Sequence, residues 1–182
     1  DGSEFEWQYV QHNVSLLPDE DGDPTTMDIM CFDNGDTRTK SNDPEKEVNG
    51  DDVYSRAVIY HIDTNDMTIS QKWQYGKERG KEWYSSYISG ARYDNDNGLI
   101  WICSGGIIYD PATGSYDNGI ADINGESTME QSAILSAVKG DELAVELKIT
   151  GFNVYRCTNM KPYLDECASL DLTVPGNRFV VE

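Results

Sequence analysis

Apolar residues fall in short runs that alternate with polar positions, and Gly, Asn and Asp clusters separate the runs. Helical spacing is scarce. This pattern predicts strands at 12–17, 27–33, 55–62, 67–75, 84–93, 99–104, 133–138 and 143–150, hence an all-β fold. Tight turns are expected at DTND (63–66) and DNDNG (94–98), where Asp and Asn side chains can bond the backbone. Segments 36–52 and 109–130 are polar, have no period and read as long loops.

The chain echoes itself. EWQY at 6–9 recurs as KWQY at 72–75, and each copy is followed by a strand ending in a Gly turn, CFDNG at 31–35 and ICSGG at 102–106. Two units of four strands fit the length. Repeated four-stranded units are the pattern of β-propeller blades, of which about four to eight are needed for closure. A compact β-sandwich is the alternative reading.

Composition narrows the partners. A net charge of −19 argues against nucleic acid and anionic membranes, which require a basic footprint. Much of that charge lies in Asp-rich loops (19–23, 49–52, 94–98), which read as turns; no Gly meets the spacing of an EF-hand loop, so no metal is expected. No apolar run is long enough to span a membrane, and the first residues lack the pattern of a signal peptide. Cys31 and Cys103 sit in apolar runs and are expected to be buried. Cys157 and Cys167 lie in a polar tail, where a disulfide between them would be worth up to about 3 kcal/mol.

The chemistry-bearing residues are few. There is no P-loop, GxSxG elbow or HExxH. Asp33 and Asp36 in FDNGD are more simply a strand followed by an Asn-Gly turn. His61 precedes a turn and reads as an exposed strand-end residue. His12 opens a strand after an aromatic-rich segment, and the first strand of a propeller blade lines the central channel. A structural histidine bonded to a nearby carbonyl is the commoner case. The only glycosylation sequon, Asn13-Val14-Ser15, lies in the same strand and is not expected to carry a glycan.

EFEWQYVQHNVSLL, MCFDNGDTR and YSRAVIYHIDTNDMTISQKWQYGKERGKEWYS resemble the bacterial arylsulfate sulfotransferases, with a weaker match through AVELKITGFNVYRC. The resemblance covers about residues 4–160 and leaves 161–182 as an unmatched tail. It implies a six-bladed propeller, of which this chain would form about the last two blades (1–160). It implies sulfuryl transfer from a phenolic sulfate to a phenol through a sulfohistidine, without a nucleotide sulfate donor or other cofactor. In the family's Y-x-QH motif the histidine is the nucleophile, here His12. Tyr155 matches a pocket-lining tyrosine, and Tyr9 and Tyr87 are further candidates to stack on aryl substrates. The expected partners are aryl sulfates, phenols and the remaining N-terminal part of the same enzyme, with a homodimer as a candidate assembly. The expected location is periplasmic or secreted, and the isolated chain is expected to turn over poorly.

This sequence departs from the family where EWYS is followed by SYIS rather than by Pro and a nearby Thr. The family's other active-site histidines and arginine have no counterpart in this chain. Arg38, Arg56, Lys77 and Arg79 read as structural cations. His12 would need its proton held on one ring nitrogen so that the other can attack. A non-catalytic β-propeller used for binding is the competing reading, and a hydrolytic sulfatase fits less well, lacking its modified Cys or Ser motif.

Overall fold

The computed structural model describes residues 5–18, 20–36, 38, 53–112, 114, 116–117 and 129–158. Two antiparallel sheets account for most of them. The first is a meander of β1 (Gln11–Leu16), β2 (Thr26–Asp33), β3 (Arg56–Asp63) and β4 (Thr68–Tyr75) in that spatial order. The second orders β5 (Gly90–Asp94), β6 (Leu99–Tyr109), β8 (Glu130–Lys139) and β9 (Glu142–Thr150), with the short β7 (Tyr116–Asp117) pairing the far end of β6. The chain is all-β, as its alternating pattern predicts.

Period-two alternation decides which side chains meet. Met30 and Phe32 on β2, Ala57 and Ile59 on β3, and Ala91, Ile100, Ile102, Ile134 and Val138 from the second sheet form one core. Cys31, Val58 and Tyr60 point the other way, into a smaller cluster with Phe5 and Ile29. Trp83 is completely buried in the main core, 6.0 Å from Phe32 and 5.7 Å from Tyr75 between ring centroids. Burying a residue of this size contributes several kcal/mol, and its truncation would cost about 3–5 kcal/mol.

The turns use acidic side chains as expected. Asp63 Oδ1 accepts the N–H groups of Asn65 (2.8 Å) and Asp66 (3.0 Å), and Asp94 Oδ1 accepts that of Asp96 (3.0 Å). The first WQY copy lies directly before β1, and the second forms the end of β4, separated from β5 by residues 76–89. CFDNG ends β2 and ICSGG lies within β6, the second strand of each sheet, so the echo marks equivalent places in two similar units.

Three expectations are corrected. The segment 84–93 is strand only from Gly90; before it, Lys77–Trp83 form 3-10 turns broken at Gly80, and 84–89 is irregular. Ile88 (φ 50°) and Ser89 (φ 84°) are left-handed, which breaks any extended ladder. Second, the 99–104 strand continues to Tyr109 through a register shift between Ser104 and Ile107, where Gly105 and Gly106 sit. Third, the polar segment 109–130 contains β7 among its described residues. Most of 36–52 and all of 161–182 lie outside the described residues.

Not every apolar position is covered. Leu143, Val145 and Leu147 alternate along β9 and are 47–54% exposed, and Val14 and Leu16 on β1 are also exposed. Among the described residues no helix is long and apolar enough to cross a membrane.

Candidate active site

His12 stands at the start of β1, between two left-handed residues. Val10 has φ 55° and Asn13 has φ 55°, and the register of β1 against β2 shifts between His12 and Ser15. A positive φ is uncommon for any non-glycine residue and an outlier for the β-branched Val10. Together they set the direction of the His12 side chain, as bulges commonly do. The imidazole is neither sealed in the core nor fully exposed. The strand is also tied to the second sheet, because Asn13 Nδ2 donates to the Ala91 carbonyl at 2.7 Å. The amide of the sequon is therefore engaged, with its Cβ packed over Gly90.

The His12 Nδ1 lies 2.6 Å from Oδ1 of Asn34, a fully buried residue. Asn34 Nδ2 donates to the Ser85 carbonyl at 2.7 Å and to the Ile88 carbonyl at 2.9 Å. An inverted amide would press its oxygen against two carbonyl oxygens, so the orientation is fixed. Only the amide oxygen is left for His12, and it can only accept. Nδ1 must therefore carry a proton, and in the neutral ring the lone pair is on Nε2.

Asn34 is itself well held. Its carbonyl accepts Ser55 Oγ at 2.6 Å, and Ser55 Oγ accepts the Ser85 N–H at 2.8 Å. Gly35 follows with φ 77°, and a Cβ there would lie 2.0 Å from the Tyr54 carbonyl oxygen. Asp33, also fully buried, accepts the Tyr9 N–H at 2.8 Å and bonds Arg38 (2.5 Å) and Arg56 Nε (2.8 Å). Arg56 reaches on to Glu6 Oε2 at 3.0 Å and to the Glu6 carbonyl at 2.8 Å. Burial alone would lower the Arg56 pKa, but Asp33 outweighs it and keeps the guanidinium charged. The segment 6–10 that leads into His12 is thus stapled to β2 and β3 by buried charge.

The structure brings the other candidates to this region unevenly. Tyr87 lies within the 85–89 turn that holds Asn34, half-buried, and its hydroxyl accepts Asn153 Nδ2 at 3.2 Å. Tyr155 is 58% exposed; its carbonyl accepts the Ser89 N–H at 3.2 Å, and Arg156 lies over its ring. Tyr9 instead packs beneath the Arg38 guanidinium, 5.1 Å from its ring centroid. The four cations read as structural are all in ion pairs: Arg38 and Arg56 with Asp33, Lys77 with Glu6, and Arg79 with Glu82 and Glu146.

His61 is corrected in detail. It has a partner, with Nδ1 2.8 Å from Asp28 Oδ1, and Lys72 holds the other Asp28 oxygen. Burial opposes ionisation of Asp28, yet Lys72 and His61 bring its pKa below the ordinary value. A cavity of about 250 Å³ opens beside this group, lined by Leu16, Met27, Asp28, His61 and Lys72, and it does not include His12. Among the described residues no group of His, Cys, Asp and Glu is arranged to hold a metal ion.

The model of the arylsulfotransferase (ASST) family matches residues 1–156. The chain belongs to the arylsulfotransferase family. Two similar proteins bear the name arylsulfate sulfotransferase AssT. The one from Lelliottia amnigena is 36% identical over 107 residues, 59% of this chain and 16% of that protein. The one from Escherichia coli O6:H1 is 34% identical over 107 residues, with the same coverage of 59% and 16%. The matched stretch is thus a small part of either relative's length. Within the family frame, the residue that sequence reasoning misses is Asn34. Its local sequence reads as an ordinary Asn-Gly turn, and the carbonyls that hold it lie about fifty positions away.

Proposed function

We propose that this chain supplies the sulfuryl-accepting histidine of an arylsulfate sulfotransferase, and that His12 is that residue. The observation that carries the reading is the His12–Asn34 bond, which in the neutral ring puts the nucleophilic lone pair on Nε2 of a half-buried imidazole. Nε2 attacks the sulfur of a phenolic sulfate, an N–S bond forms, and the S–O bond to the aryl oxygen breaks. The phenolate leaves and takes up a proton. A second phenol, losing its proton, then attacks the same sulfur, breaks the N–S bond and restores His12. Dividing the transfer in two replaces one difficult step by two easier ones.

Asn34 has a part in both halves. As the N–S bond forms, positive charge grows on the imidazole, and the Nδ1–H becomes a stronger donor to Asn34 Oδ1. A charge-assisted bond of this kind is about twice as strong as a neutral one. The transition state also spreads negative charge over the sulfuryl oxygens, which needs positioned cations or donors. Arg38, Arg56, Lys77 and Arg79 are already committed to carboxylates, so in this reading those groups come from elsewhere in the complete protein.

A four-stranded meander and a second antiparallel sheet of four main strands plus β7, with uncovered apolar rows on β1 and β9, support a propeller in which further blades pack on both. In this reading the blades number six, Tyr155 and Tyr87 face the aryl groups, and Tyr9 supports the entry to the nucleophile strand. The enzyme acts on small aryl sulfates and phenols in an exported location.

The test uses the complete protein. His12→Ala is expected to abolish exchange between an aryl sulfate and a phenol, and mass spectrometry of the unmodified protein with donor alone is expected to show a sulfo adduct on His12. Exchange surviving in His12→Ala removes the reading. A folded protein without the adduct favours a β-domain that binds without catalysis.

A further inference from the structure

Cys103 and Cys157 come together from distant parts of the chain. Cys103 is fully buried on β6, and its Sγ lies 3.4 Å from the Val154 carbonyl oxygen. The segment 151–158 lies against the β6 bulge, where the Val154 N–H donates to the Gly105 carbonyl at 2.9 Å. Contact is so close that a Cβ on Gly105 would fall 1.7 Å from the Val154 oxygen. Three residues further on, the half-buried Cys157 brings its thiol into hydrogen-bonding contact with that of Cys103. Both are free thiols in the structure.

We propose that Cys103 and Cys157 form a disulfide that fastens the 151–158 segment to β6. The more accessible Cys157 reacts first. Its thiolate attacks an external disulfide, of a small thiol or of a disulfide-exchange protein, and displaces one thiolate to give a mixed disulfide. The Cys103 thiolate then attacks the Cys157 sulfur and displaces the second. The two cysteines lose two protons and two electrons in all, and the external disulfide is reduced to two thiols. The partial exposure of Cys157, against the complete burial of Cys103, sets this order of attack.

The bond has a structural consequence near His12. The Tyr155 carbonyl accepts the Ser89 N–H, and the Ser85 and Ser89 hydroxyls accept the Gly106 and Gly105 N–H groups. The disulfide therefore fixes one side of the turn whose carbonyls orient Asn34. Its formation does not depend on the sulfuryl-transfer reading.

The complete protein, folded and unmodified, is incubated with oxidised glutathione, alkylated, and digested without reduction for peptide mapping. A peptide linking Cys103 to Cys157 is expected, absent after reduction, together with a lower thermal midpoint in reductant. In Cys103→Ser the linked peptide is expected to vanish and the midpoint to stop responding to reductant. Full alkylation of both thiols after oxidation overturns the proposal, as does recovery of Cys157 joined to Cys167 or Cys31.

Discussion

Asp33 and Asn34 are consecutive and both wholly buried, yet they hold different parts of the His12 strand. Asp33 accepts the Tyr9 N–H and gathers two guanidinium groups, so it fixes the backbone that precedes His12. Asn34 reaches the ring itself. One residue thus governs where the histidine stands, and the next governs which nitrogen is free. Their substitutions should fail in different ways.

Asn34→Ala removes the acceptor that holds the proton on Nδ1. Losing a hydrogen bond to a group that becomes charged is worth about 1.5–3 kcal/mol, which corresponds to about a 10- to 150-fold fall in kcat. On the proposed transfer KM should change little, because there the bond strengthens only as the N–S bond forms. Nitrogen NMR of the ring supplies a readout that general loosening would not imitate. With the ring neutral, the parent should show Nδ1 protonated and Nε2 bare, and the variant a mixture of tautomers. A pure Nδ1-protonated ring in Asn34→Ala would defeat the assignment.

Asp33→Ala leaves Arg38 without its carboxylate and Arg56 with only the more exposed Glu6 carboxylate. The Asp33 and Arg56 side chains are fully buried, so the loss leaves interior cationic charge only partly compensated. Removing one partner of such a pair costs about 3–5 kcal/mol. Denaturant unfolding should show a lower midpoint of that size. Glu82→Ala, at a far more exposed ion pair, should change stability by no more than about 1 kcal/mol. Equal effects would mean that the buried network is not what secures the segment before His12.

The two sheets were legible because alternation is a local signal. Met30 and Phe32 against Cys31 on β2 carry the pattern that assigns each to its face. The stretch 84–89 misled because Tyr, Ser and Ile suit a strand, while its true shape is set by partners far away. Ser85 is held by Ser55, and Ser85 and Ile88 present carbonyls to Asn34. Asn34 itself sits in an Asn-Gly pair, the commonest hairpin signal, and nothing local distinguishes a solvated turn from a buried bridge. The Cys103–Cys157 contact was hidden for the same reason. His12 stands out in the sequence only as a candidate offered by its motif, whereas the Asn34 amide beside it is visible only in the fold.

Asp28 predicts an acid-sensitive contribution to stability. Its pKa is lowered on folding by Lys72 and His61, despite partial burial. A lowered folded pKa gives stability that is present above the unfolded value of about 3.9 and lost as pH falls through the folded one. Asp28→Asn should therefore lower stability near neutrality by about 0.5–1 kcal/mol, a small figure because Lys72 is half exposed. Once the pH has fallen below the lowered folded pKa of Asp28, the variant and parent should converge. A gap that stays constant from pH 7 to the acid end of the titration would show that the pair acts through packing and not through charge.

Gly76 and Gly140 separate backbone strain from crowding. Both are left-handed, with φ 111° and 58°. A Cβ at Gly76 would lie 2.0 Å from the Trp83 ring, whereas one at Gly140 meets nothing within 4 Å. Trp83 is completely buried against Phe32 and Tyr75 and cannot withdraw without disturbing the core. Gly140→Ala should cost about 1–2 kcal/mol, the expense of a left-handed side chain. Gly76→Ala adds overpacking of about 1–3 kcal/mol and should sit that much lower in thermal or urea unfolding. Pairing each with Trp83→Ala decides the cause. The extra penalty at Gly76 should shrink once the indole is gone, because a cavity then receives the new methyl, while the penalty at Gly140 should stay the same. If the Gly76 penalty persists undiminished in the Trp83→Ala background, its origin is backbone conformation alone, and the close approach of Trp83 is not what requires glycine there.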